Sequence, residues 1–589
     1  MSLSKVFAAL ILLLAGATAL MAQNARAYVE PGVEQALISN GQADVLVMFA
    51  NGPDLSAASA LASKEEKGRF VFSALRQNAS RHRELTDKLS REGFAYRDFW
   101  IANAVYVPSV KRALLEELSQ EPGVSRIALS PGSQIDELEL EVTYSETAQL
   151  SARSVTPEWG IRYIGADQVW ASGVRGAGAV VGGQDTGYDW DHPAIKNQYR
   201  GFVEGDSAVH DYNWHDAIRE QTPNNTTPNE PCGYDVDTPC DDSGHGTHTM
   251  GSMVGESSGE LIGVAPGAKW IGCRNMDRGD GRAETYLECF QWFLAPTDAN
   301  GANPRPELAP DVIANSWFCP LSEGCDTSTY PAFAQAVAAL RAAGVVVVVS
   351  AGNSGGQGCA TVNAIPAQVP GAFAVAAHDS LGNIAGFSSR GSFASPADGP
   401  DIAAPGVSVR SAIRGESYRS FSGTSMSGPH VVGTIALMIS AQPALRGQVD
   451  TIEAMLLASA TPVAAPPSDS CSSPEATSPN QVFGHGTLNA AAAVAAARAW
   501  GGLTSTRPTL PELRTVLVPN PTTVGFTLQL PEQEREGILN IHDATGKLML
   551  QRPTSGPRIE VFTADWPAGT YFYRYVSNGG TASGRVMRL

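Results

Sequence analysis

Residues 344–353 read "GVVVVVSAGN", in which five consecutive valines lie between a glycine and a small polar segment. An apolar run without two-residue alternation is typical of a parallel strand whose sheet is covered by helices on both faces. Four further runs of this kind are "GAVVGGQD" (178–185), "AKWIGCR" (268–274), "DVIANSW" (311–317) and "AFAVAAH" (372–378). We therefore predict an α/β fold with a doubly wound, mostly parallel sheet, in which functional residues follow the carboxyl ends of strands.

One serine is surrounded by unusually small side chains. It is Ser425, in the segment "FSGTSMSGPH" (421–430). A serine hydroxyl becomes a good nucleophile only when a base takes its proton and a third group orients that base. His245 lies between two glycines in "DDSGHGTHTMG", and Asp185 ends the strand predicted from "GAVVGGQD". We predict that Asp185, His245 and Ser425 form a catalytic triad.

Three segments that carry these residues resemble the signature blocks of subtilisin-like serine peptidases, the peptidase S8 family. They are "QDTGYDWDHP", "SGHGTHTMG" and "GTSMSGPHVVG", and the resemblance extends over roughly residues 155–500. It implies that Ser425 attacks the scissile carbonyl, that His245 is general base and then general acid, and that Asp185 orients His245. The segments "CRNMDRGDGRAETYLECFQWFLAPTDANG" and "PDVIANSWFCP" are similar to the bacillopeptidase F branch of the family.

The resemblance also implies an oxyanion hole and a substrate-binding region. Asn353, at the end of "VVVVVSAGN", matches the family's oxyanion-hole asparagine. The substrate-binding residues implied in the same way are Ser316, Trp317, Phe318, Ser350, Ala351 and Gly352. Phe318 stands where the family more often has glycine, which leaves the preference for the substrate's P1 side chain open. Ser427 replaces a more usual alanine, and because both are small we expect catalysis to survive.

The segments before the triad are expected to be removed. Residues 1–27 have the layout of a secretory signal peptide, with cleavage after Ala22 or Ala27. Residues 28–150 alternate strand and helix patterns, which favours a small α/β propeptide that assists folding and inhibits the enzyme; a plain interaction domain is the alternative. Self-cleavage is expected between about 135 and 158, where the sequence becomes polar, and the peptidase domain covers 151–503.

After a Gly/Thr/Pro linker, residues 512–589 alternate apolar and polar positions with regular turn signals, which predicts a small β-sandwich. The region contains Pro519-Asn520-Pro521, Asp543 with Gly546-Lys547, and Gly569 before Tyr571. With these residues it resembles the C-terminal sorting domain of type IX secretion cargo. Such a domain implies the type IX secretion machinery as a partner, and its removal or anchoring at the cell surface. A generic carbohydrate- or protein-binding sandwich is the alternative. The enzyme is therefore expected to be secreted, extracellular or at the cell surface.

Composition excludes some classes of partner. The net charge of −18 argues against a nucleic-acid surface. No window after the signal segment offers about 18 uninterrupted apolar residues, because Arg341 interrupts the alanine-rich run, so no stable transmembrane anchor is expected. The remaining partners are a protein or peptide substrate and the chain's own propeptide.

Eight cysteines, all between 232 and 471, suggest disulfides in an exported chain. They allow 105 pairings, and short loops favour Cys232 with Cys240 and Cys319 with Cys325. A zinc site is less favoured because no CxxC spacing occurs. No cofactor is required for the chemistry. Structural calcium at Asp189 and Asp191, with the Asp/Asn-rich insert 203–242, is kept as an expectation, although acidic loops are usually only solvated.

Two other histidines are expected to have structural roles and no role in catalysis. His248, three residues after His245, is expected to pack on a helix face because no HExxH pattern accompanies it. His430 is expected to form a structural hydrogen bond. A lipase or esterase is disfavoured because its G-x-S-x-G motif would require glycine at position 427, where this chain has Ser427. The order of the triad residues along the chain also differs from the order in those enzymes. A catalytically inactive binding protein on a subtilisin-like scaffold is the alternative function.

Overall fold

The computed structural model describes residues 26–130, 132–134, 156–205, 207–222, 230–319, 329–392, 399–471, 478–501, 515–531, 536–543, 548–577 and 581–589. The chain divides into two compact units, Met1–Trp500 and Gly501–Leu589. Residues 1–25 of the predicted signal peptide and most of the predicted self-cleavage segment lie outside the described residues. Their boundaries stay predictions.

The first part of the larger unit is a small α/β layer. Its helices are α1 (Pro31–Asn40), α2 (Lys64–Asn78), α3 (Arg83–Glu92) and α4 (Arg112–Leu118). Its strands are β1 (Tyr28–Val29), β2 (Ala43–Phe49), β3 (Arg97–Phe99), β4 (Ala104–Val110) and β5 (Val124–Leu129), in the order β1-β5-β2-β4-β3. Helix α2 begins with a capping box in which Ser63 Oγ accepts from the Glu66 N–H and the Glu66 carboxylate accepts from the Ser63 N–H. The α/β fold predicted ahead of the peptidase region is confirmed.

The remainder of the larger unit contains sixteen described strands and eight helices. The strands are β6 (Gly132–Gln134), β7 (Val180–Asp185), β8 (Phe202–Glu204), β9 (Ser207–Ala208), β10 (Trp214–Asp216), β11 (Glu256–Ser257), β12 (Glu260–Leu261), β13 (Lys269–Arg274), β14 (Met276–Asp277), β15 (Asp280–Arg282), β16 (Val312–Asn315), β17 (Val346–Ser350), β18 (Phe373–His378), β19 (Ile402–Pro405), β20 (Val409–Ile413) and β21 (Ser417–Phe421). The helices are α5 (Trp159–Tyr163), α6 (Ala166–Ala171), α7 (His245–Val254), α8 (Ala283–Leu294), α9 (Tyr330–Ala342), α10 (Thr424–Ala441), α11 (Val449–Ser459) and α12 (Ala490–Ala499).

Seven of these strands form a parallel sheet in the order β10-β13-β7-β16-β17-β18-β19. The five strands predicted from apolar runs are its five central members. The chain passes from β7 to β13 on one side and then crosses to β16 on the other side. The strand order therefore reverses at β7, which is the point where α/β sheets place their ligand sites. The sequence did not predict the edge strands β10 and β19, which are only three and four residues long.

The side chains of the valine run that predicted the sheet lie on both faces of that sheet. Val347 and Val349 lie in a core cluster with side chains of α8 and α9. Val346 and Val348 lie in a second cluster with side chains of α7, α10 and α12. Because successive residues of a strand point to opposite faces, an uninterrupted apolar run requires cover on both. The prediction of a doubly wound α/β fold is confirmed.

The smaller unit is a sandwich of two antiparallel sheets. Its strands are β22 (Val516–Val518), β23 (Gly525–Gln529), β24 (Glu536–Asp543), β25 (Leu548–Ser555), β26 (Arg558–Phe562), β27 (Gly569–Ser577) and β28 (Thr581–Arg588). The sheet orders are β22-β23-β26 and β25-β24-β27-β28. Leu528 and Val561 of the first sheet share a core with Ile541 and Tyr575 of the second. The predicted β-sandwich is confirmed.

Three disulfides join described residues: Cys232–Cys240, Cys273–Cys289 and Cys359–Cys471. The predicted pairing of Cys232 with Cys240 is confirmed. The predicted partner of Cys319, Cys325, lies outside the described residues. In the part of the chain that the structure describes, no helix combines the length and the apolar character needed to cross a bilayer.

Candidate active site

The three predicted triad residues begin or end elements at one edge of the parallel sheet. Asp185 is the last residue of β7, His245 is the first residue of α7, and Ser425 is the second residue of α10. Helices α7 and α10 pack against each other, which brings their N-terminal turns to the carboxyl edge of β7. All three side chains are buried.

Asp185 holds the imidazole of His245. The Nδ1 atom of His245 lies 2.7 Å from the Oδ1 atom of Asp185, and each residue is 1% exposed. The same Oδ1 atom accepts from the Thr186 N–H at 2.7 Å, and Oδ2 accepts from the Thr249 hydroxyl at 3.4 Å. The Thr249 hydroxyl has one proton and a closer acceptor in the Gly246 carbonyl at 2.9 Å, so the two short contacts of Oδ1 are the ones that orient the carboxylate and the ring.

The glycine that follows His245 is required by close packing. A Cβ at Gly246 would collide with the carbonyl oxygen of Gly187 and would lie 3.1 Å from the Cβ of Asp185. Any larger residue would therefore push α7 away from β7. This contact explains why the sequence removes bulk beside His245.

Asp241 orders the start of α7, and the sequence reasoning missed it. Its Oδ1 atom accepts from the N–H groups of Ser243 and Gly244 at 3.0 and 2.7 Å. Its Oδ2 atom accepts from the N–H and the hydroxyl of Thr247 at 2.9 and 2.6 Å. A carboxylate placed just before a helix is a recognisable capping signal. Attention to the doublet "DD" ahead of "SGHG" would have found it.

Ser425 and Ser316 exchange two hydrogen bonds. The Ser425 hydroxyl donates to the Ser316 carbonyl at 3.0 Å, and the Ser316 hydroxyl donates to the Ser425 carbonyl at 3.1 Å. The second bond depends on Pro429, which lies within α10 and has no N–H to offer the carbonyl four residues earlier. The proline therefore leaves the Ser425 carbonyl for Ser316, and helix α10 continues through it.

Asn353 lies beside the N-terminal turn of α10. Its Oδ1 atom accepts from the N–H and the hydroxyl of Thr424 at 3.0 and 2.9 Å. Two donors on one end of the amide identify that end as the oxygen, so Nδ2 is the donating end. The N–H groups of a first helical turn point out from the helix N-terminus, and Ser425 belongs to that turn.

The other predicted substrate-binding residues surround this edge, but not all expose their side chains. Ser350 ends β17, and Ala351 and Gly352 follow it, all three buried. Gly352 has φ +102°, and a Cβ there would lie 2.8 Å from the Ser389 hydroxyl. The Trp317 ring is 2% exposed and stacks on Tyr286 with ring centres 3.6 Å apart.

The indole of Trp317 therefore belongs to the core, and only its main chain is available to a substrate. Phe318 is 8% exposed. The substrate-binding roles predicted for these six residues stay predictions.

The two additional histidines are packed groups, as predicted. The Nε2 atom of His248 lies 3.0 Å from the Val409 carbonyl, and its ring stacks on Phe421. Burial lowers the pKa of His248 to about 3. The Nδ1 atom of His430 lies 2.9 Å from the Met426 carbonyl, and burial lowers its pKa to about 4.

One group of carboxylates has the spacing of a cation site but not its chemistry. Oxygens of Glu230, Asp242 and Asp277 lie within 4.8 Å of one another. Arg274 contacts Asp242 at 2.7 Å and Glu230 at 3.1 Å, and Arg278 contacts Asp277 at 2.9 Å. Two guanidinium groups already neutralise these oxygens, so the group is a salt-bridge network and does not fit calcium.

The predicted calcium residues Asp189 and Asp191 lie after β7. Burial raises the pKa of Asp189 to about 6, and a hydrogen bond with Asp191 contributes in the same direction. The Asp189 carboxylate also accepts from the Gly415 N–H at 2.8 Å. Calcium binding there stays a prediction.

The arrangement of the site agrees with a comparison of the sequence to known families. The model of the Subtilase family, peptidase S8, matches residues 176–486, more than half of the 589 residues. The chain belongs to the subtilase family. The resemblance predicted from the three signature blocks is confirmed.

Named proteases are among the relatives of this subtilase. Bacillopeptidase F of Bacillus subtilis is 34% identical over 472 residues, which are 77% of this chain and 30% of the relative. The predicted similarity to its branch is therefore confirmed, while the match spans under a third of that protein. Subtilisin DY of Bacillus licheniformis is 33% identical over 49% of this chain and 87% of its own length. M-protease of Shouchella clausii is 32% identical over 57% of this chain and 73% of its own length.

Proposed function

We propose that this subtilase is a secreted serine endopeptidase, made as a zymogen that processes itself. The observation that carries the proposal is the buried contact between His245 and Asp185 at the switch point of the sheet, beside the N-terminal turn that holds Ser425. With Nδ1–H donated to Asp185, Nε2 is the basic nitrogen of the neutral ring. It takes the Ser425 proton as the hydroxyl attacks the scissile carbonyl, and then gives that proton to the leaving amine.

The negative charge on the tetrahedral intermediate needs donors that are already in position. The Asn353 amide and the Ser425 N–H are the proposed donors, because Thr424 fixes the amide with Nδ2 as its donating end. No step of this mechanism requires a metal. Calcium at Asp189 and Asp191 would be structural only.

The strand β6 supports the proposed roles of substrate edge and propeptide. It pairs antiparallel with β15, with Gly132 opposite Arg282 and Gln134 opposite Asp280. Main-chain pairing at a strand edge is a common way to bind an extended peptide. Asn275, which lies five residues before β15, donates its N–H to the Asp185 carbonyl at 2.9 Å. A substrate is proposed to bind along β15, and the propeptide to inhibit by occupying it.

The smaller unit is proposed to be a sorting domain that hands the enzyme to the type IX secretion machinery. The antiparallel sandwich supports this assignment. Deletion of 512–589 is expected to leave the enzyme inside the cell that makes it. Export that is unchanged by the deletion would favour the alternative of a carbohydrate- or protein-binding module.

Two assays separate the proposed peptidase from its rivals. A fluorophosphonate probe is expected to label Ser425, whereas an inactive binding protein on this scaffold would stay unlabelled. Casein cleavage is compared with turnover of a p-nitrophenyl ester, and casein is expected to be cleaved. Labelling without casein cleavage would point to an esterase.

A further inference from the structure

The segment that carries Asn353 is held by a neighbouring segment. We name residues 352–361 the oxyanion loop and residues 385–391 the clamp segment. Main-chain hydrogen bonds join the two: Ser389 N–H to Gly352 O at 2.8 Å, Gly355 N–H to Phe387 O at 2.7 Å, Ala360 N–H to Gly391 O at 3.0 Å and Thr361 N–H to Arg390 O at 2.8 Å. The oxyanion loop is therefore anchored along its length to the clamp segment.

Arg390 ties the clamp segment to a third segment. Arg390 is 7% exposed, and its Nε atom donates to Asp469 Oδ2 at 2.9 Å. Its terminal guanidinium nitrogen also donates to the Ala385 carbonyl at 3.1 Å and to the Ser388 carbonyl. One buried guanidinium thus fixes the shape of the clamp segment and its distance from Asp469.

The disulfide Cys359–Cys471 joins the oxyanion loop to the same third segment, which contains Asp469 and Cys471. It links the oxyanion loop to Cys471, whose N–H donates to Asp469 Oδ1 at 3.1 Å. Asp469 therefore accepts from Arg390 with one oxygen and from Cys471 with the other. The oxyanion loop is held by the clamp segment on one side and by a covalent bond on the other.

We propose that Cys359, Cys471 and Arg390 are positioning residues for Asn353 in the reaction. They act by holding the oxyanion loop so that the Asn353 amide stays in reach of the charged oxygen of the intermediate. This inference rests on the proposed peptidase function. A donor of this kind works only within a few tenths of an ångström of its place, and a misplacement of about 1 Å costs up to about 10²-fold in rate.

Two alterations test the proposal in the full-length chain: the double variant Cys359→Ser/Cys471→Ser, and Arg390→Gln with Arg390→Lys as the milder replacement. Each is expected to lower kcat by about tenfold to a hundredfold, with a smaller change in KM because β15 is untouched. Arg390→Lys keeps the charge beside Asp469 but loses the planar fork. Its loss is expected to be the smallest of the three.

The decisive measurement repeats these alterations in an Asn353→Ala background. If the Cys359–Cys471 disulfide and Arg390 act through Asn353, the added loss of kcat in that background should be under about twofold, because the positioned group is gone. An equal loss in both backgrounds would overturn the proposal, as would an unchanged kcat in the native background. If Asn353→Ala alone left kcat unchanged, the proposed oxyanion hole would fail instead.

The disulfide Cys273–Cys289 supplies a matched control for stability. Cys273–Cys289 joins β13 to α8, and both cysteines are fully buried. The variant Cys273→Ser/Cys289→Ser is expected to lower Tm while kcat well below Tm stays within about twofold. Tm values are compared in the Ser425→Ala form, which cannot digest itself. If the control lost kcat as the Cys359→Ser/Cys471→Ser and Arg390 variants do, a general loosening of the fold would explain both results, and the proposal would be wrong.

Discussion

The Nδ1 atom of His245 lies 2.7 Å from Oδ1 of Asp185, although 60 residues separate them in the chain. Both groups are buried, so the carboxylate meets the ring without competing water. The contact fixes which nitrogen of the ring is basic, and that property is open to a direct test.

Asp185→Asn is expected to lower kcat by about 10⁴. The new amide donates to Nδ1 and stabilises the tautomer whose Nε2 carries the proton, so the ring no longer accepts the proton of Ser425. Steady-state turnover of a peptide substrate measures the effect, and circular dichroism checks that the fold is retained. A loss of less than tenfold in a folded variant would contradict the assigned role.

Ser425→Ala is expected to give an inactive chain that keeps its propeptide. Ser427→Ala is the matched control, two residues further along α10. The Ser427 hydroxyl donates to the Ala404 carbonyl at 3.1 Å, so the control should lose about 1 kcal/mol of stability but still mature. Gel mobility of the purified chains distinguishes the two. Normal maturation of Ser425→Ala, with no other protease present, would remove the proposed self-processing.

Asn353→Ala is expected to lower kcat by about 10²–10³, since one oxyanion donor is lost. KM should change little, because the donor acts on charge that develops only in the transition state. Asn300→Ala, in an exposed loop, is the control and should leave both constants unchanged. A rise in KM at constant kcat would instead make Asn353 a ground-state binding residue.

Lys67→Ala is expected to weaken the hold of the proposed propeptide on the enzyme by about 1.5–3 kcal/mol. The Nζ atom of Lys67 donates to the Gly447 carbonyl of the peptidase region at 2.7 Å in a buried position. Lys88 is the control, because it pairs with Glu117 inside the propeptide. Size-exclusion chromatography after self-cleavage should show earlier release for Lys67→Ala only. Equal release from both variants would argue against this interface.

His248 should make the folded state less stable in acid. Burial, with a smaller contribution from the charge of His245, lowers its pKa from 6.5 to about 3. Between these pH values the unfolded chain binds the proton more readily than the folded chain. The contribution of neutral His248 to the free energy of unfolding is therefore fully present above pH 6.5 and is lost as the pH falls towards 3. Urea unfolding of the Ser425→Ala form measures the free energy of unfolding at several pH values. The added His248→Gln replacement is expected to reduce the slope of this free energy against pH by at most about 1.4 kcal/mol per pH unit. An unchanged slope would contradict the prediction.

The fold was largely predictable because burial on two faces leaves a strong mark on sequence. Strands such as β17 need apolar residues at every position, and an unbroken valine run meets that need. The edge strand β10 lies beside one strand of the sheet, β13, and has only three residues, so its sequence carries no comparable signal. Asp241 was missed because it lies just ahead of the block "SGHGTHTMG", and its capping bonds depend on where α7 begins.

The sequence alone determined the type of fold, the family and the identity of the triad candidates, because each depends on local residue patterns and their order. Only the tertiary structure decided that Trp317 faces the core, that Pro429 leaves a carbonyl for Ser316, and that Cys359 pairs with Cys471, 112 residues away. These features are contacts between distant segments. A contact is set by how helices and strands pack in three dimensions, and no local pattern of side chains encodes that distance.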